Sequence, residues 1–413
     1  GASAHSASIG TAEAVLAPAI VRDLRWHPDP AWRRGALFQF FDHQRLDGSL
    51  PRSVGVSGPS EANAPPTVDW GGAVRAFAET EDDLAHVERA WRTLERYARW
   101  LFASHDMQET GLIDLLHPAE TMRGSSPRFA ARLLKGVDST AMGYALCQAI
   151  ADLAPRIGER GDEWRALSDR TASAVRERMW DEDLGLFCDI DAASGARIRI
   201  RSAAGFAPLA AGLAWPEATA RIAETLLDVR RFWTPFPVPS LAADEPGFDA
   251  FGEANGIRVE RPLNGRMWPG ETAMLIDALV AAEPHGDGPF RRAAAQLLRR
   301  LVRVHFHGGD LHAASAHEHA NPYTGHPSVY RGVDEHFAAW LVDLIVRHAV
   351  GIHPSATGFR LDPLPLGLDA VALAGLKLRG RTVGVAIGQN GVRATIDGTG
   401  HSTTIGTPLD LAF

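Results

Sequence analysis

Carboxylates placed among aromatic and amide side chains are the first chemistry this sequence offers. Glu318 lies in Ser-Ala-His-Glu-His-Ala-Asn-Pro-Tyr-Thr-Gly (315–325), and Glu120 in His-Pro-Ala-Glu-Thr-Met-Arg-Gly-Ser-Ser-Pro-Arg-Phe (117–129). Asp69 precedes Trp70 at the end of a long irregular stretch (38–70) that carries Pro65-Pro66. Two further loops, 232–248 (FWTPFPVPSLAADEPGF) and 261–269 (RPLNGRMWP), add aromatic planes and an Arg or Asn fork. Sugar sites use this mixture, because rings stack on flat apolar faces and hydroxyls take paired hydrogen bonds. On that reading Phe41, Trp70 and Trp268 are candidate stacking platforms, with core packing as the alternative for each. His43, Gln44, Asn264, His317 and Tyr323 are candidate contacts to hydroxyls. Arg128 could clamp a hydroxyl or carboxylate, or pair with a neighbouring acid.

The histidines raise a different chemistry. His312, His317, His319, His326 and His336 fall within 25 residues, and His-Glu-His could ligate a metal. The spacing is not the i, i+4 pair of a zinc protease, and no cysteines accompany it. They read as loop histidines that bond sugar hydroxyls or backbone. No metal is expected, and no cofactor, since no phosphate-type glycine-rich loop occurs.

These loops need a scaffold, and the periodicity predicts a helical one. Leu84, Val87, Ala90, Trp91, Leu94, Ala98 and Leu101 recur at 3–4 spacing and lay one apolar stripe along Leu84–Phe102. Similar stripes mark 11–24, 31–41, 139–153, 163–179, 203–213, 217–227, 271–282, 290–306 and 335–350. Paired helices over about 350 of the 413 residues, with the chemistry left to loops, predict a toroid of paired helices, the (α/α)6 barrel. After Gly351 the texture changes to short runs bounded by Gly, Pro and Asn390-Gly391 or Asp397-Gly398, which is hairpin grammar. The expected division is a helical domain at 1–351 and a small β appendage at 352–413.

Composition narrows the partners. The formal charge is −8, which argues against a protein that holds nucleic acid by neutralising phosphates. No apolar run is long enough to cross a membrane. The first ten residues lack a signal-peptide pattern, and a cleaved signal would leave none, so cytoplasm and export compartments are both open. Cys147 and Cys188 are too few for a disulfide framework. All but two of the 42 basic residues are arginine, a bias read as genome base composition.

Taken in order, several fragments resemble one family. Asp47-Gly48 to Pro51, Pro65-Pro66 with Trp70, WDEDLGLFCD (180–189), Ala207–Gly212, Ser240–Phe248, Asn264–Pro269 and Glu318–Gly325 are similar to the catalytic barrel of trehalases, processing α-glucosidase I and mannosylglycerate hydrolase-like glycosidases (glycoside hydrolase families 37 and 63 and relatives). The resemblance implies an inverting glycosidase, in which one acid protonates the leaving oxygen and one base activates water, the two being roughly 6.5–9.5 Å apart. Glu318, followed by Asn321-Pro322 and Thr324-Gly325, matches the family's base motif. The acid motif aligns without a gap at Glu120, Ser126, Pro127 and Arg128, but Gly124 stands where the family carries its acid Asp. Glu120 is the nearest substitute, then Asp69. Asp138 reads rather as a helix cap before Ser139. Asn264 stands where the family usually has Arg.

Two alternatives stay open beside an inverting hydrolase. One is a lyase or epimerase on the same toroid, in which His and Tyr move the protons. The other is a carbohydrate-binding protein that has lost catalysis, which Gly124 would explain.

Overall fold

The computed structural model describes residues 11–116, 126–129, 133–254, 257–258, 263–306, 317–327, 340–355, 357–389 and 391–413. Eleven α-helices occur among them: α1 Ala17–Leu24, α2 Pro30–Phe41, α3 Trp70–Thr80, α4 Leu84–His105, α5 Val137–Leu153, α6 Asp162–Ala174, α7 Ala207–Ala210, α8 Pro216–Leu227, α9 Pro269–Ala282, α10 Pro289–His305 and α11 Leu341–Leu344. Among the described residues helix of all types outweighs strand, 42% against 20%. Proline opens α2, α8, α9 and α10, where its missing N–H costs nothing and its fixed φ suits the first turn.

Two chemical kinds of helix recur. The even-numbered α4 and α10 are amphipathic: α10 buries Ala294, Leu297, Leu298, Leu301 and Val304 on one side and turns Arg292, Arg299 and Arg303 elsewhere. The odd-numbered α3, α5 and α9 are apolar almost all round and are buried on most of their circumference. Contacts follow the same split. α1 packs on α3, α3 on α5, α5 on α7 and α7 on α9, while α1 also meets α11. The even helices attach to their odd neighbours, α2 to α1, α4 to α3, α6 to α5 and α10 to α9.

Helix α3 has no counterpart among the expected stripes: 38–70 reads as loop and no stripe follows it. Its polar face is short, Arg75 and Glu79 only, and Gly71-Gly72 look like a breaker. Gly71 has a packing reason instead. A Cβ there would sit 3.0 Å from the Leu146 Cα, so glycine lets α3 close on α5.

Beyond Gly351 the expected strands are present. A three-stranded antiparallel sheet joins Ile352–Ser355, Gly358–Leu361 and Leu409–Ala412, and a four-stranded meander runs through Ala370–Leu378, Arg381–Gly388, Gly391–Ile396 and Thr399–Thr403. The Arg379-Gly380 and Asp397-Gly398 turns have positive φ at both residues, as two-residue hairpins of this twist require. The sheet core of Ile352, Phe359, Leu361, Val383, Val385 and Leu411 continues into Trp26, Val346 and Val350. Arg291 pairs with Asp362 at 2.8 Å, both buried, and fastens the sheet to α10.

Candidate active site

A cavity of about 280 Å3 lies where the odd helices face one another. Ala19 of α1, Ala141 and Ala145 of α5, Ala207, Ala210 and Ala211 at α7, and Ala273 of α9 line it, and so many small side chains leave the space open. Leu263, Met142, Met274, Trp268 and Trp340 supply its apolar wall. Helix beginnings dominate. Asp69 caps α3, and Trp268 and Trp340 are the residues before α9 and α11, so the starts of α3 and α9 lie at the cavity. Trp340 holds φ +84, a costly conformation for a non-glycine residue, and its N–H donates to the Asp23 carboxylate at 2.9 Å.

The floor is ionic. Arg22 pairs with Asp69, and both line the cavity together with Asp277. Below them Arg347 donates to Asp277 at 2.7 Å and to Asp343 at 2.7 Å, and Arg25 meets Asp343 at 2.6 Å. His348 lies 2.7 Å from Asp277. Burial opposes ionisation of Asp277, yet Arg347 and His348 outweigh it and hold the carboxyl well below the usual range. Burial likewise opposes the charge on Arg22, but Asp69 and Asp277 raise its pKa. Burial dominates at Asp23 and pushes it up to about 7, against the N–H groups of Asp343 and Trp340 that it accepts.

The rim is held by backbone. Met267 and Ala320 exchange both N–H to O=C bonds at 2.9 Å, which docks the loop of Glu318 against the strand-like segment that leads into Trp268. Asn321 explains the Asn-Pro-x-Thr-Gly pattern. Its Oδ1 accepts the N–H groups of Tyr323 and Thr324 at 2.9 and 3.2 Å, and its Nδ2 donates to Ala250 O at 3.1 Å. Gly325 completes the turn at φ +72. The motif is thus an Asx turn that fixes the loop just after the glutamate. Gly265 is required because a Cβ there would fall 2.6 Å from Asp249 O. Buried Arg266 donates Nε–H to His319 Nδ1 at 3.0 Å, so the proton of His319 is on Nε2. Burial, then Arg266, pushes His319 down to about 3, and its ring lies 5.0 Å from that of Trp268.

The expected site residues divide accordingly. Glu318, Asp69 and Trp268 come together on the cavity. Glu120, Gly124, His312 and His336 lie outside the described residues. Among the described residues no three His, Cys, Asp or Glu side chains group as a metal site. Asp69 is an acceptor on both oxygens: Oδ1 takes the Gly72 N–H at 2.8 Å and Oδ2 takes Arg22.

Several expectations are corrected. Trp70 is fully buried against Phe40 and Phe41, and Phe41 is 5% exposed; both are core, not stacking platforms. His43 is exposed just after α2 and does not line the cavity, and Gln44 donates to Gly48 O and Thr93 O at 2.9 and 2.8 Å. Arg128 is no substrate clamp. It is buried in a double fork, 2.6 Å from each Asp189 oxygen and 3.1 Å from each Asp138 oxygen, and so anchors 126–129 to the start of α5. Asp138 sits within the first turn of α5 after the Gly136 cap. Asn264 is buried and donates to Glu253 O at 2.8 Å, so it braces the loop. Tyr323, 45% exposed, packs on Phe248 away from the cavity lining. His317 is half-buried beside Glu318.

Arg22, Glu271 and Trp340 line the cavity and are not read from the sequence as site residues; His319 is among the histidines read there, but its Arg266 partner is not. Arg22 and Asp69 are 47 positions apart, and no local spacing joins them. Trp340 at the end of an aromatic stretch is the one usable signal.

Comparison with known proteins agrees with this architecture. The family model of the mannosylglycerate hydrolase MGH1-like glycoside hydrolase domain matches residues 17–338. The chain belongs to that family. MGH1-like relatives include a mannosylglycerate hydrolase of Rubrobacter radiotolerans, 34% identical over 67 residues. That alignment takes in 16% of this chain and spans 15% of the relative's own length. The crystal structure of a GH63 mannosylglycerate hydrolase from Thermus thermophilus in complex with glucose superposes with TM-score 0.66 at 18% identity, covering 81% of this chain and 92% of that one. Neutral trehalase Nth1 of Saccharomyces cerevisiae superposes with TM-score 0.60 at 12% identity, covering 80% and 69%. The MGH1-like chain therefore shares their fold. No helix among its described residues is long and apolar enough to cross a membrane.

Proposed function

We propose that this chain hydrolyses a glycosidic bond of a short oligosaccharide or small glycoside with inversion, using Glu318 as general base. The observation that carries the reading is the position of Glu318 on the rim of a cavity drawn from α1, α3, α5, α7 and α9. Family membership supports the reaction class. The succession of odd-helix contacts, returned to α1 by α11 and by the Arg347–Asp277 bridge between α11's continuation and α9, supports a closed toroid of six helix pairs, with 352–413 as its appendage.

Glu318 takes a proton from water as that water attacks the anomeric carbon, while Trp268 offers an apolar face to the ring. The proton for the leaving oxygen must come from the opposite side. Asp69, an acceptor on both oxygens, is poorly suited to donate it. We assign the donation to Glu120, on the alignment of its motif with Ser126, Pro127 and Arg128. Asp69 and Arg22 then shape the floor under the sugar.

Glu318→Gln tests this directly. It keeps the side-chain length, so the unfolding temperature and sugar binding should stay as in the wild type while turnover falls by about a thousandfold or more, roughly 4 kcal/mol of barrier. Retention of more than about a tenth of wild-type turnover excludes Glu318 as the base.

A further inference from the structure

One carboxylate beside the cavity floor takes no part in the reaction proposed above. Among the described residues Asp23 forms no ion pair, unlike Asp69, Asp277 and Asp343, which each face an arginine. Its oxygens accept backbone instead: Oδ2 takes the Trp340 N–H at 2.9 Å and Oδ1 the Asp343 N–H at 2.8 Å. Trp340 holds φ +84, in the left-handed region that a bulky side chain avoids, so its backbone needs an outside anchor. The indole lies along the start of α9, where a Cβ on Gly270 would fall 2.9 Å from Cη2 and 3.1 Å from Cζ2. Glycine leaves the ring its place, and Trp340, Gly270, Trp268 and Glu318 line one cavity.

We propose that Asp23 is a positioning residue of the active site: its carboxylate holds the strained backbone of Trp340 and so sets the indole as a wall for the sugar. The part in sugar binding rests on the glycosidase reading; the part in placing the indole does not. With both oxygens taken by N–H groups, a proton on either one turns an acceptor into a donor and displaces a contact. Burial raises Asp23 to about 7, so the hold should weaken as pH falls through neutrality. The charges around it are already matched. Arg25 meets Glu79 and Asp343 at 2.7 and 2.6 Å, Arg347 meets Asp343 and Asp277 at 2.7 Å, and Arg22 faces Asp69. Burial opposes ionisation of Asp343, yet Arg25 and Arg347 keep it below the usual carboxylate range. Burial, and then Arg347, pushes His348 below its ordinary 6.5.

Fluorine NMR of the protein labelled with 5-fluorotryptophan tests this without any substrate. The chain has 11 tryptophans, and the signal lost in Trp340→Phe is that of Trp340. In the wild type this signal should move between about pH 8 and about pH 6, with its midpoint at about 7. Asn at position 23 cannot accept both N–H groups, so in Asp23→Asn the signal should lie near the acid position of the wild type at either pH. On whichever glycoside of a panel is turned over, Asp23→Asn should raise KM about tenfold or more and leave kcat within about threefold, the mark of lost binding rather than lost chemistry. A wild-type signal that does not titrate, or one at the same position in Asp23→Asn at about pH 8, overturns the positioning role. A moved signal with an unchanged KM overturns the part in substrate binding. Absence of turnover on every glycoside, with the signal behaving as expected, contradicts the glycosidase reading and supports Asp23 as the residue that places the indole.

Discussion

The floor and the rim of the cavity both carry carboxylates, and the segments that carry them are braced differently. On the floor, Asp69, Asp277 and Asp343 each face an arginine, and the pairs stitch α1, α3, α9 and α11 across the centre of the helical body. On the rim, the loop of Glu318 is fixed through backbone by the Met267–Ala320 exchange and the Asn321 turn. A carboxylate locked to a cation is a good strut. One carried on a loop braced through backbone has its position set by that loop. The difference separates carboxylates that tie helices together from one that a loop places on the cavity.

The largest effect should come from breaking the floor. Asp343→Ala leaves Arg25 and Arg347 buried without their shared partner, and loss of one member of a buried ionic set costs about 3–5 kcal/mol. Denaturant unfolding should report that loss, whereas Glu318→Gln on the rim should leave stability as it is. A fall under about 1 kcal/mol for Asp343→Ala would show that the floor is not what closes the body.

Acid should act on the rim next. The folded pKa of His319 is depressed from 6.5 to about 3, so the unfolded chain binds the proton more readily. Its contribution to stability is therefore complete above the unfolded value of 6.5 and is lost progressively as pH falls from there towards 3. His319→Gln keeps an acceptor for Arg266 but removes the titration. The drop in unfolding temperature between about pH 7 and pH 5 should be smaller in His319→Gln than in the wild type; an identical drop refutes the assignment.

The smallest effect belongs to Asp69, where the two regions touch. Asn at this position still caps α3 but no longer neutralises Arg22. Stability should fall by about 1 kcal/mol or less, as for a partly exposed pair. Turnover on a natural glycoside and on a nitrophenyl glycoside should fall by the same factor, under about tenfold. A loss confined to the natural glycoside, whose leaving group needs an acid, would make Asp69 the proton donor in place of Glu120.

What the sequence discloses follows the same division. Amphipathic outer helices are legible nearly to the residue: the stripe at Leu84–Phe102 is α4 Leu84–His105, and 290–306 is α10 Pro289–His305. Strand grammar after Gly351 is legible for the same reason, since period and turn residues are local signals. α3 is not, because its polar face is only Arg75 and Glu79 and Gly71-Gly72 read as a breaker at its start. The consequence is that Trp70 reads as a loop platform when it is core. The rim is legible through its motif, and the structure supplies the reason: Asn321, Thr324 and Gly325 build the turn. The floor is invisible in the sequence, because Arg22 with Asp69 and Arg25 with Asp343 are pairings across 47 and 318 positions.

The central claim is that a rim carboxylate delivers water from the face opposite the leaving group. Proton NMR of the anomeric region during the first minutes of hydrolysis, before mutarotation, tests it most directly on whichever glycoside of a panel is turned over. The first sugar released should have the anomeric configuration opposite to that of the bond cleaved, and Glu318→Gln should release none at a comparable rate. A first product with the original configuration would contradict it.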